Sequence, residues 1–88
     1  MANEAHLALL KQGVEVWNSW YAENPDSAPD LTGADLRERN LREVNLAGAN
    51  LREADLSHTD LSMANLQEAN LFMASMEETS FYTASLKG

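Results

Sequence analysis

From Pro29 to Gly88 the sequence divides without a gap into twelve blocks of five: PDLTG, ADLRE, RNLRE, VNLAG, ANLRE, ADLSH, TDLSM, ANLQE, ANLFM, ASMEE, TSFYT and ASLKG. The third place is apolar throughout: Leu31, Leu36, Leu41, Leu46, Leu51, Leu56, Leu61, Leu66, Leu71, Met76, Phe81 and Leu86. The first place is mostly alanine (Ala34, Ala49, Ala54, Ala64, Ala69, Ala74, Ala84), and the second is always Asp, Asn or Ser. A period of five suits neither ordinary element. On an α-helix each step of five turns about 140°, so the leucines would circle the axis and form no stripe. On a straight strand five is odd, so successive leucines would face opposite sides. The pattern predicts a chain that runs extended inside each block, with first and third places pointing inward, and turns a corner once per block. Two residues then point in and three point out.

Coils of this kind stack about 4.8 Å apart, so each interior side chain lies on one like itself. Leucine fills the interior, and alanine lets the backbone turn in close. The Asp/Asn/Ser column suits the corners because short polar side chains bond nearby backbone.

The motif A-(D/N)-L-x-x, present in Ala34-Asp35-Leu36, Ala49-Asn50-Leu51, Ala54-Asp55-Leu56, Ala64-Asn65-Leu66 and Ala69-Asn70-Leu71, resembles the pentapeptide repeat proteins over sixty of the chain's 88 residues. That resemblance implies an all-β solenoid: a right-handed quadrilateral β-helix with four blocks, or twenty residues, per coil. Twelve blocks make about three coils, a rod about 15 Å tall. Arg39, Thr59 and Thr79 replace alanine at first places one such coil apart and should stack on one wider face. An arginine directed into this interior is costly, so Arg39 is expected to snorkel out or to bond the cap.

Residues 1–28 lack the period of five. Leu7, Leu10, Val14, Trp17 and Tyr21 follow helical spacing, with Leu9, Val16 and Trp20 widening the stripe and Glu4, Lys11, Glu15 and Asn18 on the opposite half. One α-helix is predicted, ended by Asn24-Pro25 and joined to the first block by Asp26 to Ala28. The expected organisation is a capping helix and connector over 1–28 and the repeat over 29–88. Trp17 and Trp20 could instead anchor the helix on a membrane surface or a partner. Against the membrane, Glu4, Glu15, Glu23 and Asp26 face a single Lys11, a net −3, which an anionic bilayer repels. The leader Val14-Glu15-Val16-Trp17-Asn18-Ser19-Trp20 is similar to that of many cyanobacterial members of the family.

Composition narrows the function. A chain of 88 residues holds one small domain. It has no cysteine, which excludes disulfides and thiolate metal sites. The net charge of −8 disfavours direct nucleic-acid binding. No apolar run is long enough for membrane insertion, and the start Met1-Ala2-Asn3-Glu4 is unlike a signal peptide, so a cytoplasmic location is expected.

Candidate chemistry is sparse. His6 and His58 are the two histidines. Ser57, His58 and Asp60 carry the letters of a triad, but neighbours on one coil edge diverge, and a triad is defined by geometry. Glu77 and Glu78 are paired carboxylates without a pocket, since leucine fills the interior. The twenty-residue coil would stack His58 between Glu38 and Glu78, a conceivable metal pair that is better read as a chance outward ladder. No catalytic residue, cofactor or metal is expected.

Residues 29–88 carry ten acids and five bases, with Arg37, Arg39, Arg42 and Arg52 in the first two coils. In the third coil outward places turn apolar at Phe72, Met73 and Tyr82, with Met63 below, which suggests a contact surface. The sequence stops at Gly88, at the close of the third coil. Its edge should expose unpaired backbone and the ends of the Leu71, Met76, Phe81 and Leu86 ladders, unless a longer chain supplies a cap. Family resemblance implies pairing through the C-terminal coil, hence a homodimer or a protein partner docked there. The function expected is a non-catalytic structural and interaction module. The alternatives, also implied by resemblance, are an acidic DNA mimic that modulates a type II topoisomerase (gyrase) and an accessory subunit of a larger cyanobacterial complex, such as a photosynthetic assembly.

Overall fold

All but one of the described corners, that between Leu36 and Arg39, close with a backbone bond. The first-place N–H donates to the third-place carbonyl of the block before, as from Ala34 to Leu31 at 3.1 Å and from Ala49 to Leu46 at 3.0 Å. At these corners the fifth-place residue has positive φ, between 53° and 70° from Gly33 through Thr83. A four-residue turn with positive φ only at its third position is type II. Among the described residues glycine fills this place at Gly33 and Gly48; elsewhere Glu38, Glu43, Glu53, His58, Met63, Glu68, Met73, Glu78 and Thr83 hold the left-handed conformation.

The second place secures the corner. Its side-chain oxygen accepts the fourth-place N–H in nine consecutive blocks, from Asp30 with Thr32 at 3.1 Å to Asn70 with Phe72 at 3.0 Å. These side chains mimic a backbone turn.

Remaining backbone groups join one coil to the next. Eight isolated parallel bridges link residues twenty apart, from Asp30 with Asn50 to Asn65 with Ser85. Third-place N–H groups donate forward, as Leu31 to the Asn50 carbonyl at 2.8 Å, and so do fifth-place ones, as Glu38 to Ser57 at 3.0 Å. Second-place N–H groups donate backward, as Asn50 to Pro29 at 2.8 Å. Where sequence reasoning leads one to expect strands, the described residues hold only these bridges, because a corner interrupts the extended backbone every five residues. The computed structural model describes residues 2–86; Met1 and the last two places of the twelfth block, Lys87 and Gly88, lie outside the described residues.

Third-place side chains form the core. Leu31, Leu36, Leu41, Leu46, Leu51, Leu56, Leu61 and Leu66 are buried, and first-place Ala34, Val44, Ala49, Ala54 and Ala64 lie among them. Full burial of one such leucine contributes about 1.5 to 3 kcal/mol. In the last coil Leu71 and Phe81 are only half-buried, and Met76 and Leu86 are exposed. With principal extents of 31 × 27 × 25 Å the molecule is a block rather than a rod, since three coils plus the cap are about as tall as they are wide.

The single N-terminal helix expected from the sequence is two: α1, Glu4–Lys11, and α2, Val14–Glu23. Gly13 separates them at φ 119°, a conformation disfavoured for any residue with a Cβ. Asn3 caps α1 by accepting the N–H groups of Ala5 and His6. The break changes which side chains face inward. Leu10, Trp17 and Tyr21 are buried and Leu7, Leu9, Val14 and Trp20 partly so, whereas Val16, predicted on the apolar stripe, is exposed. Asn18, predicted outward, instead bonds the first coil. Leu10 and Trp17 share one core with Leu31, Leu36, Leu41 and Leu46.

Candidate functional site

The two ends of the coil stack differ in how their backbone is covered. At the first coil the helices supply partners. Trp17 Nε1 donates to the Asn45 carbonyl at 2.7 Å, Tyr21 Oη donates to the Ala47 carbonyl, and Asn18 both donates to the Glu43 carbonyl at 3.0 Å and accepts the Asn45 N–H at 2.8 Å. On the neighbouring side Asn3 N–H donates to the Asp30 carbonyl at 2.8 Å, and His6 Nδ1 accepts the Asp30 N–H at 3.1 Å. Burial, and then the Asp26 carboxylate, raise the Tyr21 hydroxyl above its ordinary range, so it stays a neutral donor. Trp20 stacks obliquely on His6 and Trp17, at centroid distances of 5.2 and 5.1 Å.

Among the described residues nothing comparable covers the last coil. The N–H groups of Leu71, Met73, Met76, Glu78, Phe81 and Thr83, which in earlier coils donate forward, have no partner among the described residues. The second-place column also changes there, to Ser75, Ser80 and Ser85, and Glu77 and Tyr82 lose the side-chain acceptor that their counterparts have. Ser80 Oγ instead lies 3.1 Å from Ser62 Oγ, and Ser85 Oγ accepts from Gln67 Nε2 at 2.8 Å.

Exposed apolar side chains collect at this end. Phe72, Met73 and Tyr82 are 60%, 69% and 75% exposed, and Met63, Met76 and Leu86 are exposed as well. They do not form the single cluster the sequence suggested. Phe72 and Tyr82 are ten residues apart, half of the twenty-residue coil, so Phe72 with Met73 and Tyr82 with Met63 occupy opposite corners. The Met63 N–H bonds the Tyr82 carbonyl at 2.8 Å. Met76, Leu86 and the half-buried Leu71 and Phe81 lie between the corners, at the ends of the interior ladders. Sequence reasoning missed that Arg52 lies over the Phe72 ring, 5.4 Å from its centroid; the twenty-residue spacing was the available signal.

The flanks are polar and ion-paired. Arg37 Nε lies 2.9 Å from Asp35 and 3.7 Å from Asp55, and Arg42 is 3.6 Å from Asp60. Asp30, Asp35, Asp55 and Asp60 are held below the usual carboxylate range by hydrogen bonds from the side chains two residues on, Thr32, Arg37, Ser57 and Ser62 respectively. Arg39 is half-buried, and its side chain makes no hydrogen bond or ion pair to the cap among the described residues. The Thr59 hydroxyl below it accepts the Arg39 N–H at 3.3 Å and donates to the Leu36 carbonyl, so it replaces the closing bond of that corner.

The triad letters are not brought together. His58 Nδ1 pairs with Glu78 at 3.0 Å, the Ser57 N–H bonds Asp55, and Asp60 accepts from Ser62. Glu77 and Glu78 are exposed, and no group of three metal-ligating side chains converges among the described residues. No helix among the described residues is long and apolar enough to cross a membrane.

A family model of pentapeptide repeats matches residues 30–66 and 49–88, in eight copies. No curated protein matches the chain. The matched residues take in the nine blocks with an Asx acceptor and the left-handed fifth places from Gly33 to Thr83, and the chain belongs to the pentapeptide repeat family.

Proposed function

We propose that this chain is a non-catalytic structural and protein-interaction module whose repeat winds as a right-handed quadrilateral β-helix and whose last coil is the docking end. In the isolated protein the occupant is a second copy. The observation that carries this reading is the contrast between the ends: the cap supplies backbone partners on two sides of the first coil, while at the last coil six forward-pointing N–H groups have no partner among the described residues and Phe72, Met73, Tyr82 and Met63 form an exposed rim. Pentapeptide repeat proteins commonly serve as interaction or structural modules, and a leucine-filled interior leaves no room for a catalytic pocket.

The acidic surface gives weaker support to mimicry of DNA before a type II topoisomerase. The longest extent, 31 Å, falls short of one helical repeat of about 34 Å, and Arg37 and Arg42 pair with the aspartates beside them.

Absolute mass by light scattering tests the docking end. The wild type is expected at twice the monomer mass, and Met73→Asp and Tyr82→Asp, which alter exposed side chains outside the core, are expected as monomers. A wild type that stays monomeric, or variants that remain dimeric, would overturn it.

A further inference from the structure

The two ends of the stack are halves of one ladder. Toward the C-terminus each block offers its third- and fifth-place N–H groups and its first-place carbonyl, and toward the N-terminus its second-place N–H and carbonyl and its fourth-place carbonyl. The last coil therefore carries the complement of what the first coil would present if it were bare. Only the cap lies between that first coil and a second copy's last coil.

The cap is fastened on two adjacent sides. Asn3 and His6 hold Asp30, and Trp17, Asn18 and Tyr21 hold residues 43–47. On the other two sides the N–H and carbonyl groups of Asp35 and Asn40 and the carbonyls of Arg37 and Arg42 have no backbone or cap partner among the described residues. There a crevice of about 360 Å³ separates Val14 and Glu15 from Asn40, Arg42 and Glu43.

We propose that α1 and α2 act as a lid over a self-assembly surface. When they lift, the first coil of one copy receives the last coil of another in the parallel register that already joins residues twenty apart. This rests on the last coil being a docking end, as proposed above, and adds where the second copy binds. Side chains match in that register. Continuing the columns by twenty residues sets Glu77 against Arg37 of the second copy and Tyr82 against Arg42 of the second copy, an arginine beside an aromatic ring as at Arg52 and Phe72 but in the reverse order along the stack. Glu78 against Glu38 is a like-charge pair, but His58, 3.0 Å from Glu78, lies beside it. With the lid closed, this surface is blocked and copies meet by their last coils alone.

The chain has no cysteine, so single cysteines report the register. In head-to-tail stacking Ser75 lies beneath Asp35 of the second copy, about 4.8 Å away, a separation a disulfide spans. An equimolar mixture of Asp35→Cys and Ser75→Cys chains is oxidised in two backgrounds, the native cap and Trp17→Phe/Asn18→Ala/Tyr21→Phe, which removes four cap bonds and keeps most of the apolar bulk. The 35–75 product is expected to rise roughly tenfold or more when the cap is loosened. No 35–75 product from the loosened cap, or an equal yield from both backgrounds, would overturn the lid. A 75–75 product alone in both backgrounds would overturn the lid while leaving the docking end standing. Should the triple variant lose its cooperative thermal transition, Asn18→Ala alone, which removes two of the four bonds, is judged by the same yields.

Discussion

Asn18 completes the first coil at Asn45: its Oδ1 accepts the Asn45 N–H at 2.8 Å, while its Nδ2 donates to the Glu43 carbonyl at 3.0 Å. A side-chain amide has the donor and acceptor of a peptide group, and here its oxygen takes the second-place N–H that a preceding coil's carbonyl would accept. Trp17 and Tyr21, on the same face of α2, extend the imitation to the carbonyls of Asn45 and Ala47. On two sides of the first coil the cap thus closes the edge by hydrogen bonds as well as by covering leucines.

Removing that amide should therefore cost more than an average surface substitution. Asn18→Ala is expected to lower stability by about 1 to 2 kcal/mol, because the partly buried Asn45 N–H and the more exposed Glu43 carbonyl lose partners. Urea unfolding measures this, and Ser19→Ala, one residue on and exposed, is the control expected to change little. Equal effects of the two would contradict the role of Asn18.

Thr59 and Thr79 share a column but not a burden. Thr59 is 1% exposed, and its hydroxyl satisfies both the Arg39 N–H and the Leu36 carbonyl. Thr79 also donates, to the Leu56 carbonyl at 2.6 Å, but that carbonyl keeps the Thr59 N–H at 3.1 Å. Thr59→Val is expected to cost about 2 to 3 kcal/mol and Thr79→Val about 1 kcal/mol or less. Denaturant midpoints of the two variants check the order, which reverses if corner closure does not depend on Thr59.

The left-handed fifth places make an opposite pair of expectations. Glu53, at φ 61°, is relieved of roughly 1 to 2 kcal/mol by glycine, less about 0.5 to 1 kcal/mol of added chain entropy, so Glu53→Gly should be neutral or stabilising. Gly48, at φ 69°, should lose about 1 to 2 kcal/mol or more as Gly48→Val, although an added Cβ would meet only Tyr21 Oη at 3.9 Å. Melting temperatures that fall for both would contradict a strained turn.

Acid should weaken the corners. Hydrogen bonds from Thr32, Arg37 and Ser62 lower the Asp30, Asp35 and Asp60 carboxyls in the folded chain. A lowered folded pKa gives stability that is present above the unfolded value, near 3.9, and is lost as pH falls through the folded one. Stability should accordingly change little on these groups' account from pH 7 to 5 and fall below about pH 4. In Asp60→Asn the amide oxygen can still accept the Ser62 N–H, as asparagine does at Asn40 and Asn65, so the acid slope should flatten with little loss at neutral pH. An unchanged slope would place the acid sensitivity elsewhere.

Much of the repeat is legible in the residues because its period is short and recurs twelve times. Third-place leucines and the Asx column follow directly from a chain that must turn every five residues. The left-handed fifth place is hidden, because glutamate, methionine and histidine carry no mark of positive φ, and in the sequence glycine at three of the twelve fifth places is the one hint of it. The helix break at Gly13 is masked by apolar spacing that stays helical across it; glycine is tolerated in helices, and the sequence does not say that here it leaves one. Asn18 looks like an outward polar residue until the break re-aims α2. For the docking end, exposed aromatics are visible in sequence, but their placement on opposite corners needs the coil length. Arg39 remains without a partner that explains its place in the column.

Amide hydrogen exchange at Leu71, Met76 and Phe81 tests the docking end most directly, with Leu51, Leu56 and Leu61 as internal references that already bond Asn70, Ser75 and Ser80 at 2.7 to 2.8 Å. Over about a hundredfold range of protein concentration, protection of the three last-coil amides should rise toward that of the references in the wild type and stay low in Tyr82→Asp. Exchange of these amides at unprotected rates at every concentration, with the references protected throughout, would contradict docking through the last coil.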